Sequence, residues 1–242
     1  DCLARMHLGY QYILSLGRED GCTSQTSRAS CRLPFLQSSP VMPLLEVART
    51  SKTDDATTAT AINVGKDLKK TMIICKDAPG FVVNRLLTRF MGEVTDAIDE
   101  GTPIEVADNA LRPLGFPMSP LELFGLVGPG VALHVSKTLH DNLGPRYRIS
   151  PRVSRIVEAG VKTFYLKDEN GKLNPNPEAI ALVEKGTKPS TSDEVRMRAL
   201  RALAEEARMM LDEGVVATAS EIDLCMLMGA GWPMHQIGRA HV

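Results

Sequence analysis

The segment from Asp77 to Arg85 holds the residue types in this chain that are best suited to chemistry. It reads Asp-Ala-Pro-Gly-Phe-Val-Val-Asn-Arg and follows an apolar run, 71–75, that is typical of a buried strand. A helix is predicted to begin after Gly80, with Asn84 in or near its first turns. A helix start offers free N–H groups and a partial positive charge. There, the Asn84 amide could hydrogen-bond a carbonyl or hydroxyl of a bound ligand.

The same segment also has a purely structural interpretation. Pro79 and Gly80 form a pair that commonly precedes a helix, and an Asn near a helix start is often a local cap. Pro79 lies where a missing N–H costs nothing, and Gly80 permits close approach to the backbone. Spacing alone leaves both interpretations open.

Composition excludes several classes of function. The chain has 242 residues and a formal net charge of −1, which argues against a nucleic-acid-binding stripe or a polybasic membrane face. No apolar run is long enough to span a bilayer. The five cysteines lack metal-type spacing, and Cys75 and Cys225 fit small buried residues in a reducing compartment. We therefore expect a cytoplasmic protein without a metal site.

Residues 1–39 show no sustained periodicity, and we predict low order there. A strand is predicted at 42–47, with Glu46 near its end. A helix should follow from the N-cap signal at Thr53-Asp-Asp55 to about Lys70. With the strand at 71–75, this makes a strand–helix–strand unit.

The region after Gly80 is predicted to be helical. An apolar stripe at steps of three and four marks a long helix that ends at Gly101; it comprises Val83, Leu86, Leu87, Phe90, Val94, Ala97 and Ile98. A short helix is predicted at 104–111, and a helix pair at 121–139 is broken by Gly128-Pro-Gly130. Asn170-Gly171 suggests a small hairpin or an ordered loop.

The last third of the chain repeats this pattern. A helix opens at Asp193, has Leu200, Leu203, Ala207 and Leu211 on one face, and ends at Gly214. A short helix and Gly231-Trp-Pro-Met234 follow, as Gly115-Phe-Pro-Met118 follows the first unit. Two such units, about 79–140 and 193–234, would share one core.

These motifs resemble the 3-hydroxyacyl-CoA dehydrogenase family, closest to the dehydrogenase part of multifunctional fatty-acid oxidation proteins. The likeness runs from Pro40 to about Met234, whereas residues 1–39 and 235–242 do not match. It implies a mainly α fold, with a duplicated helical domain of the 3-hydroxyacyl-CoA and 6-phosphogluconate dehydrogenase type over 79–234. A truncated Rossmann remnant that binds NAD in the family would occupy 40–78.

The resemblance also implies roles for individual residues. In the family a His takes the hydroxyl proton of a 3-hydroxyacyl-CoA while C3 gives a hydride to NAD, and a Glu orients the imidazole. Glu46 matches that Glu, and Asn84 matches the Asn that positions the substrate oxygen. Pro79, Gly80 and Phe81 match the substrate-binding hinge. Without the resemblance, Glu46 could equally be a solvent-facing strand carboxylate.

Two family features are missing. Counting back from Glu46 places the motif His at Pro34, which cannot accept a proton. No Gly-x-Gly-x-x-Gly follows a strand and opens a helix, so most of the NAD site is absent. Either a reading-frame error precedes Pro40, or the chain is a natural remnant.

We therefore expect a fragment of an NAD-dependent 3-hydroxyacyl-CoA dehydrogenase of β-oxidation that is inactive alone. The intact protein would act on 3-hydroxyacyl-CoA, as a homo-oligomer or within a multifunctional β-oxidation complex, without nucleic acid. The alternatives are a non-catalytic dimerisation or scaffold domain and, less favoured, a different dehydrogenase with a similar helical domain. Basic groups for CoA are offered by Lys66, Lys69, Lys70 and Arg85.

Overall fold

The computed structural model describes residues 12–14, 31–33, 43–171, 173–182 and 186–236. The strands are β1 (Tyr12–Leu14), β2 (Cys31–Leu33), β3 (Leu44–Arg49), β4 (Thr71–Lys76), β5 (Tyr165–Lys167) and β6 (Leu173–Pro175). The helices are α1 (Asp55–Asp67), α2 (Val83–Glu100), α3 (Ile104–Asn109), α4 (Pro120–Val127), α5 (Pro129–Leu143), α6 (Pro151–Glu158), α7 (Pro177–Ala181), α8 (Ser192–Asp212) and α9 (Ala219–Ala230). Short 3-10 helices lie at Arg112–Leu114 and Met234–Gln236. The chain is mainly helical, as predicted.

Packing divides the chain into two compact units. The first comprises Asp1–Val83 and Arg208–Trp232, and the second comprises Asn84–Ala207 and Pro233–Val242. These units are defined by packing, so the predicted family domains at 40–78 and 79–234 stay a prediction.

The first unit contains the predicted strand–helix–strand motif. Its sheet has the order β1-β2-β3-β4, in which β3 and β4 are parallel and the other pairs are antiparallel. Glu46 lies opposite Ile73 in the parallel register. Because side chains alternate along a strand, Leu45 and Val47 point to one face of the sheet while Leu44 and Glu46 point to the other.

Helix α1 covers the face that carries Leu45 and Val47, which pack with Ala61 and Met72. The approach is close, since a Cβ on Gly65 would lie 2.1 Å from the Met72 Sδ. The helix ends at Asp67, three residues earlier than predicted. The chain leaves the helix there because Lys69 adopts a left-handed φ of 55°.

Helix α9 lies on the opposite face of β3. A Cβ on Gly229 would be 2.6 Å from Leu44 Cδ2, so the helix backbone approaches the strand more closely than any side chain would allow. Cys225, one turn earlier on α9, is fully buried. Helix α9, from the second half of the chain, therefore covers the sheet face that carries Glu46.

The second unit is built on the long helix α2. Every residue of its predicted apolar stripe is buried, including Phe90 and Val94. The predicted face of α8 is correct for Leu203 and Ala207, whereas Leu200 and Leu211 are only half-buried. The buried side of α8 is rotated from the predicted one, and its core residues are Val195, Ala199, Ala202, Leu203, Glu206, Ala207 and Met210.

Turn chemistry sets the remaining helix ends. The predicted helix pair is interrupted as expected, because Gly128 has a φ of 96° and starts α5 anew. The predicted hairpin is present as the antiparallel pair β5–β6. Helix α6 was not predicted, although Ser150 caps it by accepting the Val153 N–H and Pro151 follows at its first position.

The two repeated helices end in the same way. The N–H of Gly101 bonds the carbonyl of Ile98, and the next N–H, of Thr102, reaches back to Ala97. At the end of α8, Gly214 bonds Leu211 and the following N–H reaches back to Met210. Both ends use the same pair of backbone hydrogen bonds, a glycine-dependent stop. The same pair of bonds also ends α1 and α6, so it does not distinguish the repeat, which stays a prediction.

The low order predicted for residues 1–39 falls mostly outside the described residues, which include only β1 and β2 there. Most of the predicted unmatched tail, 235–242, also lies outside them. No helix in the part of the chain that is described combines the length and apolar character needed to cross a bilayer.

Candidate active site

The segment after β4 forms a tight turn before α2. Asp77 continues the sheet by donating its N–H to the Arg49 carbonyl, and the Phe81 N–H closes the turn onto the Ala78 carbonyl. Gly80 has a φ of 72°, which only glycine adopts without cost. Phe81 follows with a φ of 48°, a left-handed conformation that costs a side-chain-bearing residue roughly 1–2 kcal/mol. The ring of Phe81 is only 2% exposed, and its burial holds this conformation in place.

Glu46 lies in the interior, directly at the start of α2. One oxygen of its carboxylate, Oε1, accepts the N–H groups of Val82 at 2.8 Å and of Val83 at 3.2 Å. The residue is 5% exposed, so a solvent-facing strand carboxylate is ruled out. A side chain from β3 thus does for α2 what an N-cap residue normally does within one helix.

The second carboxylate oxygen of Glu46, Oε2, makes no hydrogen bond to a described residue, since both bonds use Oε1. A carboxylate can accept about four hydrogen bonds. One oxygen therefore anchors the helix while the other can still accept a bond from another group. This division is what an orienting carboxylate needs, because it must be fixed on one side and available on the other.

Burial raises the pKa of Glu46 from 4.5 to about 7, and the Val82 and Val83 N–H groups oppose that rise. Burial also raises the pKa of the Cys225 thiol, with Glu46 and Cys75 as neighbours that add to the rise. The side chains of Cys75 and Cys225 are both buried. Burial is the largest influence on Glu46, so its carboxyl group changes charge near neutral pH.

Asn84 follows Val83 and lies in the first turn of α2, half-buried. Its side chain makes no hydrogen bond to any residue that the structure describes. The alternative that Asn84 is a local cap is therefore not supported, and the N–H groups at this helix start are bonded to Glu46 instead. Among the described residues, nothing occupies the donors or the acceptor of this amide.

The three predicted hinge residues differ in what they can offer a substrate. Pro79 and Gly80 are partly exposed, whereas the Phe81 ring is enclosed. Phe81 could therefore act on a substrate only through its backbone or by shaping the turn. The predicted site residues of the first unit, Glu46 and the turn at 79–81, are brought together by the hydrogen bonds of Glu46.

Arg85, suggested as a basic group for CoA, lies in the interior of the second unit instead. It is fully buried, and its Nε donates to Glu206 Oε1 at 2.6 Å. Arg146 donates to the other oxygen of Glu206 at 2.8 Å, and the Tyr147 hydroxyl donates to the Arg85 carbonyl at 3.1 Å. A guanidinium enclosed in this way cannot reach a CoA phosphate. Glu206 was missed in the sequence because it occurs as one of several acidic residues on a charged helix.

A second buried carboxylate, Asp108, joins three elements of the second unit. Its oxygens accept the Ser119 hydroxyl at 2.7 Å, the Leu121 N–H at 2.8 Å and the Tyr165 hydroxyl at 2.7 Å. Every bond serves the fold, because they tie α3 to the start of α4 and to β5. The described residues contain no group of three or more metal-ligating side chains placed to hold an ion.

Family models match two adjoining parts of the chain. The model of the 3-hydroxyacyl-CoA dehydrogenase C-terminal domain matches residues 80–166, and the model of the family's NAD binding domain matches residues 23–78. Together they cover more than half of the chain, which therefore belongs to the 3-hydroxyacyl-CoA dehydrogenase family. The expectation that likeness begins only at Pro40 is wrong, because the second match starts at residue 23.

Several relatives resemble the chain over most of its length. The fatty acid oxidation complex subunit alpha of Aliivibrio fischeri is 36% identical over 81% of this chain and 30% of its own length. The corresponding subunit of Vibrio cholerae is 33% identical over 81% and 29%. The glyoxysomal fatty acid beta-oxidation multifunctional protein MFP-a of Brassica napus is 30% identical over 84% and 30%. The chain thus spans about 30% of the length of these relatives.

Solved structures support the fold. The 3-hydroxybutyryl-CoA dehydrogenase of Escherichia coli superposes with a TM-score of 0.68 at 20% identity, covering 83% of this chain and 61% of the other. The dehydrogenase part of multifunctional enzyme 1 from C. elegans gives 0.54 at 22% identity, covering 83% and 48%. The architecture is therefore that of these dehydrogenases.

NAD is the cofactor that the matched N-terminal domain implies. A Rossmann cradle presents free N–H groups of a glycine-rich turn to the pyrophosphate. In the described unit, the turn from β3 to α1 has no glycine, and the Asp54 carboxylate already accepts the Thr57 N–H at 2.7 Å. Asp55 adds a second negative charge at this helix start. This turn does not fit a dinucleotide.

Proposed function

We propose that the chain is part of an NAD-dependent 3-hydroxyacyl-CoA dehydrogenase that converts 3-hydroxyacyl-CoA to 3-oxoacyl-CoA in fatty-acid β-oxidation. The observation that carries the proposal is the buried Glu46 carboxylate, which is bonded through Oε1 to the start of α2 while Oε2 has no hydrogen-bond partner among the described residues. Family membership supplies the reaction, and this geometry supplies a residue suited to one of its roles.

In this proposal Glu46 is the orienting residue of the proton-transfer pair. Its free oxygen would accept the N–H of an imidazole base, fix the tautomer of that base and stabilise its cation. Oε1 cannot drift while it holds two backbone N–H groups, so the direction of Oε2 is set before any substrate binds. Such fixing of a catalytic group by its supporting hydrogen bonds is what lowers the cost of reaching a reactive geometry.

Asn84 would bind the oxygen of the substrate. Its side chain has no partner among the described residues, and it directly follows Val83, whose N–H is bonded to Glu46. The turn at Pro79, Gly80 and Phe81 would place the backbone for a substrate. Partial exposure of Pro79 and Gly80 favours them for direct contact, and the enclosed Phe81 ring favours a supporting role.

The polypeptide by itself should not catalyse the reaction. Pro34 stands where the family has its base, and a proline ring nitrogen in a peptide bond accepts no proton. The chain also lacks a Gly-x-Gly-x-x-Gly after a strand. In the intact protein we expect a homo-oligomer or a multifunctional β-oxidation complex located in the cytoplasm.

The direct test is turnover by the purified chain. Acetoacetyl-CoA and NADH are mixed with it, and absorbance of NADH is followed; no consumption is expected. The coding DNA upstream of codon 40 is then translated in all three frames. A frame that encodes His-Phe-Phe-Asn-Pro and a glycine fingerprint supports the dehydrogenase. Their absence from every frame, together with no binding of acetoacetyl-CoA, would favour the scaffold domain instead.

A further inference from the structure

Helix α9 packs against Leu44 and Val83, two residues close to Glu46. A Cβ built on Gly229 would lie 2.6 Å from Leu44 Cδ2 and 2.7 Å from Val83 Cγ2. Both distances are shorter than any real Cβ contact, so the absence of a side chain at 229 is required for this packing. Leu44 and Glu46 are two residues apart on the same face of β3, and the Val83 N–H donates to Glu46.

The two neighbours of Gly229 would respond differently to an added methyl group. Leu44 presents the far end of a flexible side chain, which can rotate aside. Val83 is β-branched and almost fully buried, so its side chain has little freedom to change rotamer. Crowding at 229 would therefore be relieved mainly by movement of the Val83 backbone, and with it the N–H that bonds Glu46.

The rest of α9 adds to the same environment. Cys225, one turn before Gly229, is fully buried and interacts electrostatically with Glu46, as well as with Cys75 from β4. Glu221, a further turn away, also acts on Cys225, and its carboxylate is bonded to the N–H groups of Ala217 and Thr218. No cation from α9 is among the groups that act on Cys225.

We propose that Gly229 is a positioning residue of the dehydrogenase site. By letting α9 rest directly on Leu44 and Val83, it fixes the hydrogen bond between Val83 and Glu46 and so the start of α2, where Asn84 follows. The repeated helical unit thereby contributes to the site through packing. This role rests on the function proposed for Glu46 above.

The test uses the full chain labelled with ¹⁵N and follows hydrogen exchange of the Val82 and Val83 amides. Gly229→Ala should speed their exchange at least about fivefold, the effect of weakening one typical hydrogen bond. Gly92→Ala is the matched control, because a Cβ on Gly92 meets nothing within 4 Å. Exchange of Val94, at the middle of α2, reports general loss of stability and should not change in either variant.

A second variant identifies the route. Adding Val83→Ala to Gly229→Ala removes the methyl groups that clash, so exchange at positions 82 and 83 should return to that of Val83→Ala alone. The pH midpoint of the Val82 amide shift, which follows Glu46, should move in Gly229→Ala and return in the double variant. A merely structural role for Gly229 would leave that midpoint unchanged.

Two results would overturn the proposal. One is exchange at 82 and 83 in Gly229→Ala equal to that in Gly92→Ala. The other is a double variant in which exchange at 82 and 83 stays as fast as in Gly229→Ala. Neither readout uses substrate, so failure here leaves the dehydrogenase proposal standing. Conversely, absence of thioester binding alongside the expected exchange pattern would reject the function and leave only the packing role.

Discussion

Arg85 and Glu206 form an ion pair that is closed to solvent, with 2.6 Å between Nε and Oε1 and side chains exposed by 0% and 1%. Arg146 shares the carboxylate, and it is 28% exposed. The pair links the first turn of α2 to the middle of α8, two elements of the second unit. Arg85 directly follows Asn84 in sequence, yet its enclosed ion pair indicates a role in stabilising the fold.

Glu206→Ala should lower the free energy of unfolding by about 3–5 kcal/mol, because it leaves the enclosed Arg85 guanidinium without its counter-charge. Urea denaturation monitored by circular dichroism measures the change. Glu205→Ala removes an exposed carboxylate from the adjacent position of the same helix and should change stability by no more than about 0.5 kcal/mol. Equal effects of the two substitutions would contradict an essential buried pair.

Substitutions of Glu46 should show how much its hydrogen bonds to the start of α2 stabilise the fold. Glu46→Gln keeps an acceptor oxygen for the Val82 and Val83 N–H groups, whereas Glu46→Ala leaves both without a partner. We expect the alanine variant to be less stable than the glutamine variant by about 1–3 kcal/mol, the cost of a buried unsatisfied group. Thermal unfolding at pH 6 provides the comparison, and a glutamine variant no more stable than alanine would argue against the anchor.

Stability should also depend on pH through Glu46. Its pKa is raised from 4.5 to about 7 on folding, so the folded chain binds more protons between these values. The stabilisation is complete below pH 4.5 and is lost as pH rises to 7, by roughly 3 kcal/mol. Asp96, with its pKa raised to about 6 mainly by burial, acts in the same direction.

The contribution of Glu46 can be isolated by comparing wild type with Glu46→Gln at each pH. The free energy of unfolding of wild type, minus that of Glu46→Gln, should fall between pH 4.5 and 7 and stay level above that range. Asp96 titrates in both proteins and cancels. A difference that does not vary with pH would mean that the pKa of Glu46 is not raised.

Asp108→Ala should destabilise the second unit by about 3 kcal/mol, because three donors lose their acceptor. Tyr165→Phe removes only one of them and should cost about 1 kcal/mol. Chemical denaturation of both variants gives the ratio. Asp67→Ala, at the exposed end of α1, is the control and should change little.

Asn84→Ala should weaken binding of acetoacetyl-CoA by about tenfold, corresponding to roughly 1.4 kcal/mol, if the amide holds the substrate oxygen. Isothermal titration calorimetry on the purified chain measures this. Asn142→Ala is matched, since Asn142 is an exposed amide on a helix whose Nδ2 donates to its own helix, to the Thr138 carbonyl. Equal affinities for the wild type and for Asn84→Ala would remove Asn84 from the site.

The parts of the fold that follow from local chemistry could be predicted from sequence. The α2 stripe, the stops at Gly101 and Gly214, and the break at Gly128 each depend on residues within one or two turns. The same holds for the hairpin at Asn170-Gly171. These elements are present in the structure where their local sequence signals place them.

The parts that depend on distant partners could not be predicted in this way. Nothing near Glu46 in sequence indicates that it bonds residues 82 and 83, and nothing near Glu206 indicates Arg85. Gly229 could not be identified from its sequence neighbours either, because its role depends on Leu44 and Val83, which pack against it in the fold. For the candidate site, residue types and family likeness identified Glu46 and Asn84. The hydrogen bonds of Glu46 to the start of α2, and the packing of α9 beside them, are seen only in the three-dimensional structure.

The anchoring of α2 by Glu46 has an evolutionary consequence. A lineage that lost its base and its cofactor would still need an acceptor for the Val82 and Val83 N–H groups, so selection for folding alone would keep a carboxylate or amide at position 46. Retention of that residue in inactive descendants is therefore no record of retained chemistry. A working descendant is distinguished from a silent one by its base at position 34 and its glycine fingerprint for the cofactor.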